Sequence, residues 1–194
     1  VFIEVVCHPL YMVRQQVLNM QNMIATARSF SVYFEKDSNE LIYYVKGWED
    51  KYLQSNSFER VIYFMDNLTR KTQKARDKIT LEFESNVLTI PFEQFVLDPD
   101  LWMDKIAEVI GTNITNETRK IMKEQNVPRD MVSQGVDLDI YRRCGWKPPE
   151  ENSTERDELN IRREEIAREI SSDALVVLDR LSKEYEDQYW KLDA

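Results

Sequence analysis

Glycine is scarce in this chain: four residues out of 194, at positions 47, 111, 135 and 145. That excludes collagen-like and linker-like classes, and no Walker-type phosphate loop occurs anywhere in the sequence. Cysteine is scarcer. Cys7 and Cys144 stand far apart, too few for a disulfide framework and without the paired spacing of a zinc site, so both read as ordinary thiols and no metal is expected. His8 is the only histidine, leaving one candidate for imidazole chemistry. Long apolar runs are missing too: the longest, Val1 to Val6 interrupted by Glu4 and Ala174 to Leu178, fall far below the roughly 20 residues of a membrane span.

What is present suits one folded unit over residues 1–194. Hydrophobic residues make up 42% and aromatics 11%, enough for a core and against disorder. The formal charge of −9 argues against nonspecific nucleic-acid binding, which needs a basic footprint, and no nucleic-acid partner is expected. Most of that charge lies in residues 151–194, which carry −6. The opening Val1-Phe2-Ile3-Glu4-Val5-Val6 has no initiator methionine and already reads as strand, so the chain is expected to be an excerpt of a longer protein. Plain thiols favour the cytoplasm. Four Asn-x-Ser/Thr sequons, at Asn67, Asn113, Asn116 and Asn152, where about one is expected by chance, keep the Golgi or secretory lumen as the alternative.

Along the chain, Val1 to Cys7 predicts a buried strand, His8-Pro9-Leu10 a turn, and Tyr11 to about Ala25 a helix with apolar residues near a 3.6 period. Ser31–Glu35 and Leu41–Val45 flank a polar turn and predict a hairpin. Its aromatics, Tyr33, Phe34, Tyr43 and Tyr44 with Trp48, divide between core packing and the wall of an acceptor pocket. Asn56 with Glu59 caps a long amphipathic helix reaching Lys78. Ile79–Phe83 alternates as an edge strand, and Val87–Phe92 reads as a parallel-sheet strand ended by Pro91. Asp98-Pro99-Asp100 opens a helix that Gly111 closes, and a short helix spans Asn116 to Gln125. Residues 127–150 read as irregular, and 153–194 as a helical C-terminal part with starts at Thr154-x-x-Asp157 and Ser172-Asp173. The fold class is therefore α/β, a mostly parallel sheet with flanking helices and a helical C-terminus. Ligands in such folds bind beyond the carboxyl ends of the strands. Cys7-His8-Pro9 and Phe92-Glu93-Gln94 both lie there.

Val5-Val6-Cys7-His8-Pro9-Leu10-Tyr11 resembles the strand, Arg-x-Pro loop and helix of sulfotransferases that use 3′-phosphoadenosine 5′-phosphosulfate, with cysteine in place of the arginine. Val87 to Phe95, then Leu97-Asp98-Pro99 and Ile110-Gly111, resemble the family's later strand, acidic loop, helix and closing glycine. The ending through Tyr185 to Trp190 is similar to bacterial members. The resemblance covers most of the chain and implies a P-loop-type sulfotransferase architecture, with the 5′-phosphosulfate loop lying before Val1. It implies sulfuryl transfer from that donor to a hydroxyl or amine of a small-molecule or glycan acceptor.

For donor binding it implies Cys7 and His8 in the second loop, and Gln15 at the position of the family's phosphate-binding serine. Arg14 next to it offers a compensating bidentate phosphate contact, against the alternative of a solvated helix surface. Tyr141-Arg142-Arg143-Cys144-Gly145-Trp146-Lys147 matches a basic, glycine-containing loop. It adds Arg142, Arg143 and Gly145 as nucleotide contacts, against a surface loop anchored by Trp146. No catalytic base is identified: His8 reads as a loop or helix-start residue, and Glu93 as a cap or a bridge between loops. The basic residues Arg70, Lys71, Lys74, Arg76 and Lys78 read as a solvated helix face. Two other readings stand beside transfer chemistry: a non-catalytic interaction module, and a kinase-like relative of the same architecture.

Overall fold

The computed structural model describes residues 2–25, 32–83 and 87–192. Strand β1 (Phe2–Val6) runs into helix α1 (Pro9–Ala25), and a hairpin follows, β2 (Tyr33–Lys36) and β3 (Asn39–Ile42). Next come helix α2 (Glu49–Gln54), the long helix α3 (Ser57–Phe83), strand β4 (Val87–Pro91), and the short helices α4 (Phe92–Leu97), α5 (Pro99–Ile110), α6 (Asn116–Glu124) and α7 (Asp139–Arg143). Helices α8 (Glu155–Ala167) and α9 (Ser172–Tyr189) complete the order.

Local chemistry explains the boundaries. Asn56 Oδ1 accepts from the backbone N–H groups of Phe58 and Glu59 at 3.0 Å while Glu59 Oε2 accepts from Asn56 N–H, a capping box at the start of α3. Thr154 and Asp157 form the same reciprocal pair before α8. Gly111 ends α5 in the left-handed region at φ 68°, where a Cβ would be strained. In the hairpin, Asp37 and Ser38 both take positive φ, the mirror-image turn that matches the twist of paired strands. That two-residue turn carries both strands further into the expected loop, to Lys36 and from Asn39, and the strands end sooner at their far ends. The chain leaves β3 at Ile42 into a single 3-10 turn, Tyr43–Val45, and Ser31 lies outside the described residues.

Five expectations are corrected. Residues 79–83 prolong α3 instead of forming an edge strand, because a five-residue alternation adjoining a helix costs nothing to absorb as a further turn. The segment 127–150 contains α7, and Phe92-Glu93-Gln94 is helical rather than a loop. The mostly parallel sheet contracts, among the described residues, to one parallel pair, Phe2 opposite Val87 through Val6 opposite Pro91, beside the separate antiparallel hairpin. β1 is accordingly less buried than its composition suggests: Val5 is 62% exposed, since β4 is its sole described neighbour. The fold is α/β, with helices predominating over a small sheet.

The core lies where α1, α3, α8 and α9 meet. Val13 and Val17 of α1, Val61 and Ile62 of α3, Leu159 and Ile166 of α8, and Ala174 and Leu178 of α9 are buried together. Each of the Val, Leu and Ile side chains among them contributes roughly 1.5–3 kcal/mol on burial. Among the described residues, no helix is long and apolar enough to cross a membrane.

Candidate functional site: an arginine-lined cavity beyond β1

β1 ends at Val6, and the chain turns through Cys7 and His8 into α1. Two polar arrangements flank this exit. The first is closed. Glu93, at the start of α4, is completely buried, and its carboxylate accepts from His8 N–H at 2.7 Å, from the Cys7 thiol at 3.1 Å and from the Tyr185 hydroxyl. His8, also fully buried, accepts the Leu10 N–H at Nδ1, so Nε2 carries the proton and donates it to Glu186 at 3.2 Å. Its ring packs edge-on against Tyr11, Tyr185 and Trp190. Burial holds the His8 pKa below its ordinary value despite the neighbouring Glu186 and Glu93. Burial, reinforced by Glu93, pushes the Cys7 thiol up, so it stays protonated. This cluster pins the β1 exit to α4 and α9. Glu93, expected as a cap or a bridge between loops, sits on α4 and joins the Cys7-His8 turn to Tyr185 of α9, and His8 is a core residue.

On the other side of Cys7 lies a cavity of about 340 Å³, bounded by α1, the 129–135 loop, the 141–146 segment and α8. Arg14, Arg129 and Arg162 line it, and no Asp or Glu does. In a chain of net charge −9, that is a pronounced local reversal. Tyr11, Phe92, Tyr141 and Trp146 supply aromatic walls. The indole N–H of Trp146 donates to the Ser133 carbonyl at 2.8 Å, tying the glycine-containing segment to the 129–135 loop. Gly145, at φ 79°, lies so close to Arg14 that a Cβ there would stand 3.0 Å from Arg14 Cδ and 3.1 Å from Nη1. The positive φ favours glycine, and a Cβ there would also make the Arg14 side chain give by a few tenths of an ångström.

The three cations are held differently. Arg14 donates from Nη2 to Glu165 at 2.9 Å. Arg129 donates to the carbonyls of Asn126 and Val132, and burial lowers its pKa without a carboxylate to offset it. Arg162 lies with its guanidinium 4.7 Å above the Tyr11 ring, and its side chain is 16% exposed. Its nearest acid, Glu158 one turn back, is 3.7 Å away, beyond hydrogen-bonding range, and burial raises the Glu158 pKa in spite of Arg162. Arg162 Nε and Ser133 Oγ are both buried, and neither has a hydrogen-bond partner among the described residues.

Of the residues singled out in the sequence, Cys7, Arg14 and Gln15 line this cavity, and Gly145 touches it through Arg14. Three others stand apart from it. His8 belongs to the closed cluster, Arg142 is exposed and pairs with Asp137 and Asp139, and Arg143 is exposed. The aromatic hairpin splits: Tyr33, Tyr43 and Tyr44 are exposed, while Phe34 and Trp48 pack on the core. On α3, Lys71 and Lys74 are solvated as expected, but Arg76 pairs with Glu4 of β1. Arg129, Ser133 and Arg162 escaped the sequence reading. Arg162 sits in a charged helix that resembles any solvated one, and its inward direction depends on how α8 packs against α1. No protein-family model, curated protein or solved structure matches the chain.

Proposed function

We propose that the cavity beyond β1 binds the phosphorylated ribose end of 3′-phosphoadenosine 5′-phosphosulfate, and that the protein serves sulfuryl transfer to a hydroxyl or amine acceptor on a parallel-sheet, P-loop-type architecture. The observation that carries the reading is the lining itself: three arginines, four aromatics and no carboxylate at the carboxyl end of a parallel strand. Arginine suits phosphate by geometry and charge, and aromatic faces suit a purine. The donor supplies an activated sulfuryl group, whose bond to the 5′-phosphate oxygen breaks as the acceptor oxygen or nitrogen bonds to sulfur and releases its proton. Within this chain, Arg14 and the Gly145 turn position the ligand, and Tyr141 and Trp146 flank its base. Arg129 and Arg162 keep the local potential positive for the anionic product.

One observation favours the second reading, an interaction module without transfer activity. Cys7 stands where the resemblance puts a phosphate-binding arginine, and its thiol is neutral and committed to Glu93. Calorimetric titration of this chain with 3′-phosphoadenosine 5′-phosphate separates the two. Donor binding gives a Kd of about 10 μM, weakened roughly tenfold in Arg14→Ala. Absence of binding overturns the assignment of this cavity to the donor and favours the module.

A further inference from the structure

We infer that Arg162 and Ser133 form the oxyanion-binding point of this cavity, a site for a tetrahedral phosphate or sulfate group assembled from residues distant in sequence from the positions where the resemblance places the phosphate ligands. It rests on the preceding reading only for the identity of a nucleotide as the carrier of that group; the oxyanion is argued from the cavity alone.

A guanidinium largely withdrawn from water needs a partner, because the lost hydration of its charge is unfavourable unless hydrogen bonds and an opposite charge offset it. Arg162 has little of either: its buried Nε has no hydrogen-bond partner among the described residues, and its ion-pair partner Glu158 stands 3.7 Å from Nη2. The nearby acids are engaged elsewhere. Glu155 accepts from the Tyr11 hydroxyl at 2.9 Å and from Val132 N–H at 2.6 Å, and Glu165 accepts from Arg14. Tyr11 covers one face of the Arg162 guanidinium, which fixes the plane in which its N–H groups point.

Ser133 presents the complementary case. It is 4% exposed, its carbonyl is held by Trp146 and Val132 beside it is held by Glu155, yet its hydroxyl has no partner. Buried polar atoms are nearly always satisfied; of the three unpartnered side-chain atoms among the described residues, Ser182 Oγ lies elsewhere, and the other two line one cavity that lacks any carboxylate and have a common explanation in a ligand that accepts from both. An oxyanion does so: it accepts from the Ser133 O–H and the Arg162 N–H while Arg14 and Arg129 add charge. Cys7 and Gln15, which also line the cavity, supply no cation, so Arg162 takes the part that an arginine at position 7 would play.

The test is a two-dimensional NMR titration of the full chain at constant ionic strength with sodium sulfate, and in parallel with 3′-phosphoadenosine 5′-phosphate and with adenosine. The Arg162 Nε–H and Ser133 amide signals shift saturably with sulfate, the apparent affinity falling at least tenfold in Arg162→Met and about threefold in Ser133→Ala. Ser133→Ala keeps or raises the melting temperature, since it removes an unpartnered buried hydroxyl, so lost affinity there cannot be ascribed to misfolding. Equal affinity of the wild-type and Ser133→Ala and Arg162→Met chains overturns the inference, as does absence of saturable binding by sulfate and bisphosphate alike. Bisphosphate binding untouched by Arg162→Met sinks the inference and spares the donor reading. Arg162-dependent sulfate binding with no gain from the nucleotide upholds the inference and sinks that reading. Arg162-dependent binding of the bisphosphate alone upholds both, and adenosine binding as tightly as the bisphosphate overturns the inference.

Discussion

Cys7 stands between two polar neighbourhoods that share a wall and differ in one respect. On the Glu93 side every polar group has a partner: three donors converge on one carboxylate, and both ring nitrogens of His8 are used. On the Arg162 side a guanidinium nitrogen and a hydroxyl are buried with none. Burial alone therefore does not distinguish the two neighbourhoods. Satisfaction does. A saturated cluster has no bonding capacity left for a ligand and rigidifies the fold, whereas an unsaturated one carries a desolvation cost that a bound group can recover.

The largest expected effect lies in the saturated cluster. Glu93→Ala removes the acceptor of three buried donors and should cost about 3–5 kcal/mol in urea unfolding, against no loss for Ser133→Ala in the cavity. A cost below about 1 kcal/mol for Glu93→Ala would erase the distinction between the two neighbourhoods.

Next in size is a pH effect on the same cluster. Burial depresses the His8 pKa in the folded state below its ordinary 6.5. The unfolded chain then takes up a proton that the folded chain refuses, so this contribution to stability is complete above pH 6.5 and is lost as the pH falls through the folded value. Glu158, raised by burial, works in the opposite sense from its ordinary 4.5 upward. The urea midpoint of a Glu158→Gln chain, freed of that opposing group, should therefore fall between pH 7.5 and 6.0. Because His8 is the only histidine, a flat profile over that interval would show the ring to be free to protonate in place.

The smallest effect separates the two thiols, which both line the cavity. Cys7 is held protonated by burial and Glu93. Iodoacetamide at pH 8 should therefore modify Cys144 and leave Cys7 intact until denaturant is added, as read by intact mass and peptide mapping. Rapid native-state labelling of Cys7 would mean that the Glu93 cluster opens readily on the cavity side.

Much of the local structure was legible in advance. The caps at Asn56 and Thr154, the helix closed by Gly111, and the strand stopped at Pro91 are decided by neighbours within a few residues, and such signals survive folding intact. Residues 79–83 were misread because an alternating pattern of five residues fits a helical turn equally well, and the adjoining helix supplies the hydrogen bonds. The site was legible in part. Arg14 and Gly145 were visible as a cation beside a strand exit and a glycine in a basic segment, and the fold presses one against the other. Arg142 and Arg143, equally basic on paper, face solvent.

What the sequence determined by itself is the class of fold: an α/β chain with capped helices, low in glycine, without a Walker-type motif among its 194 residues, and net acidic. Only the tertiary structure decided where the positive charge gathers. Arg14, Arg129 and Arg162 are scattered over nearly 150 positions, and it is the packing of α8 and the 129–135 loop on α1 that turns them into one cavity, with Glu165 taken up by Arg14 and Glu155 by Tyr11 and Val132. The charge pattern of a helix records which residues can be cations; which of them end up buried without a partner is set by neighbours that sequence distance does not reveal.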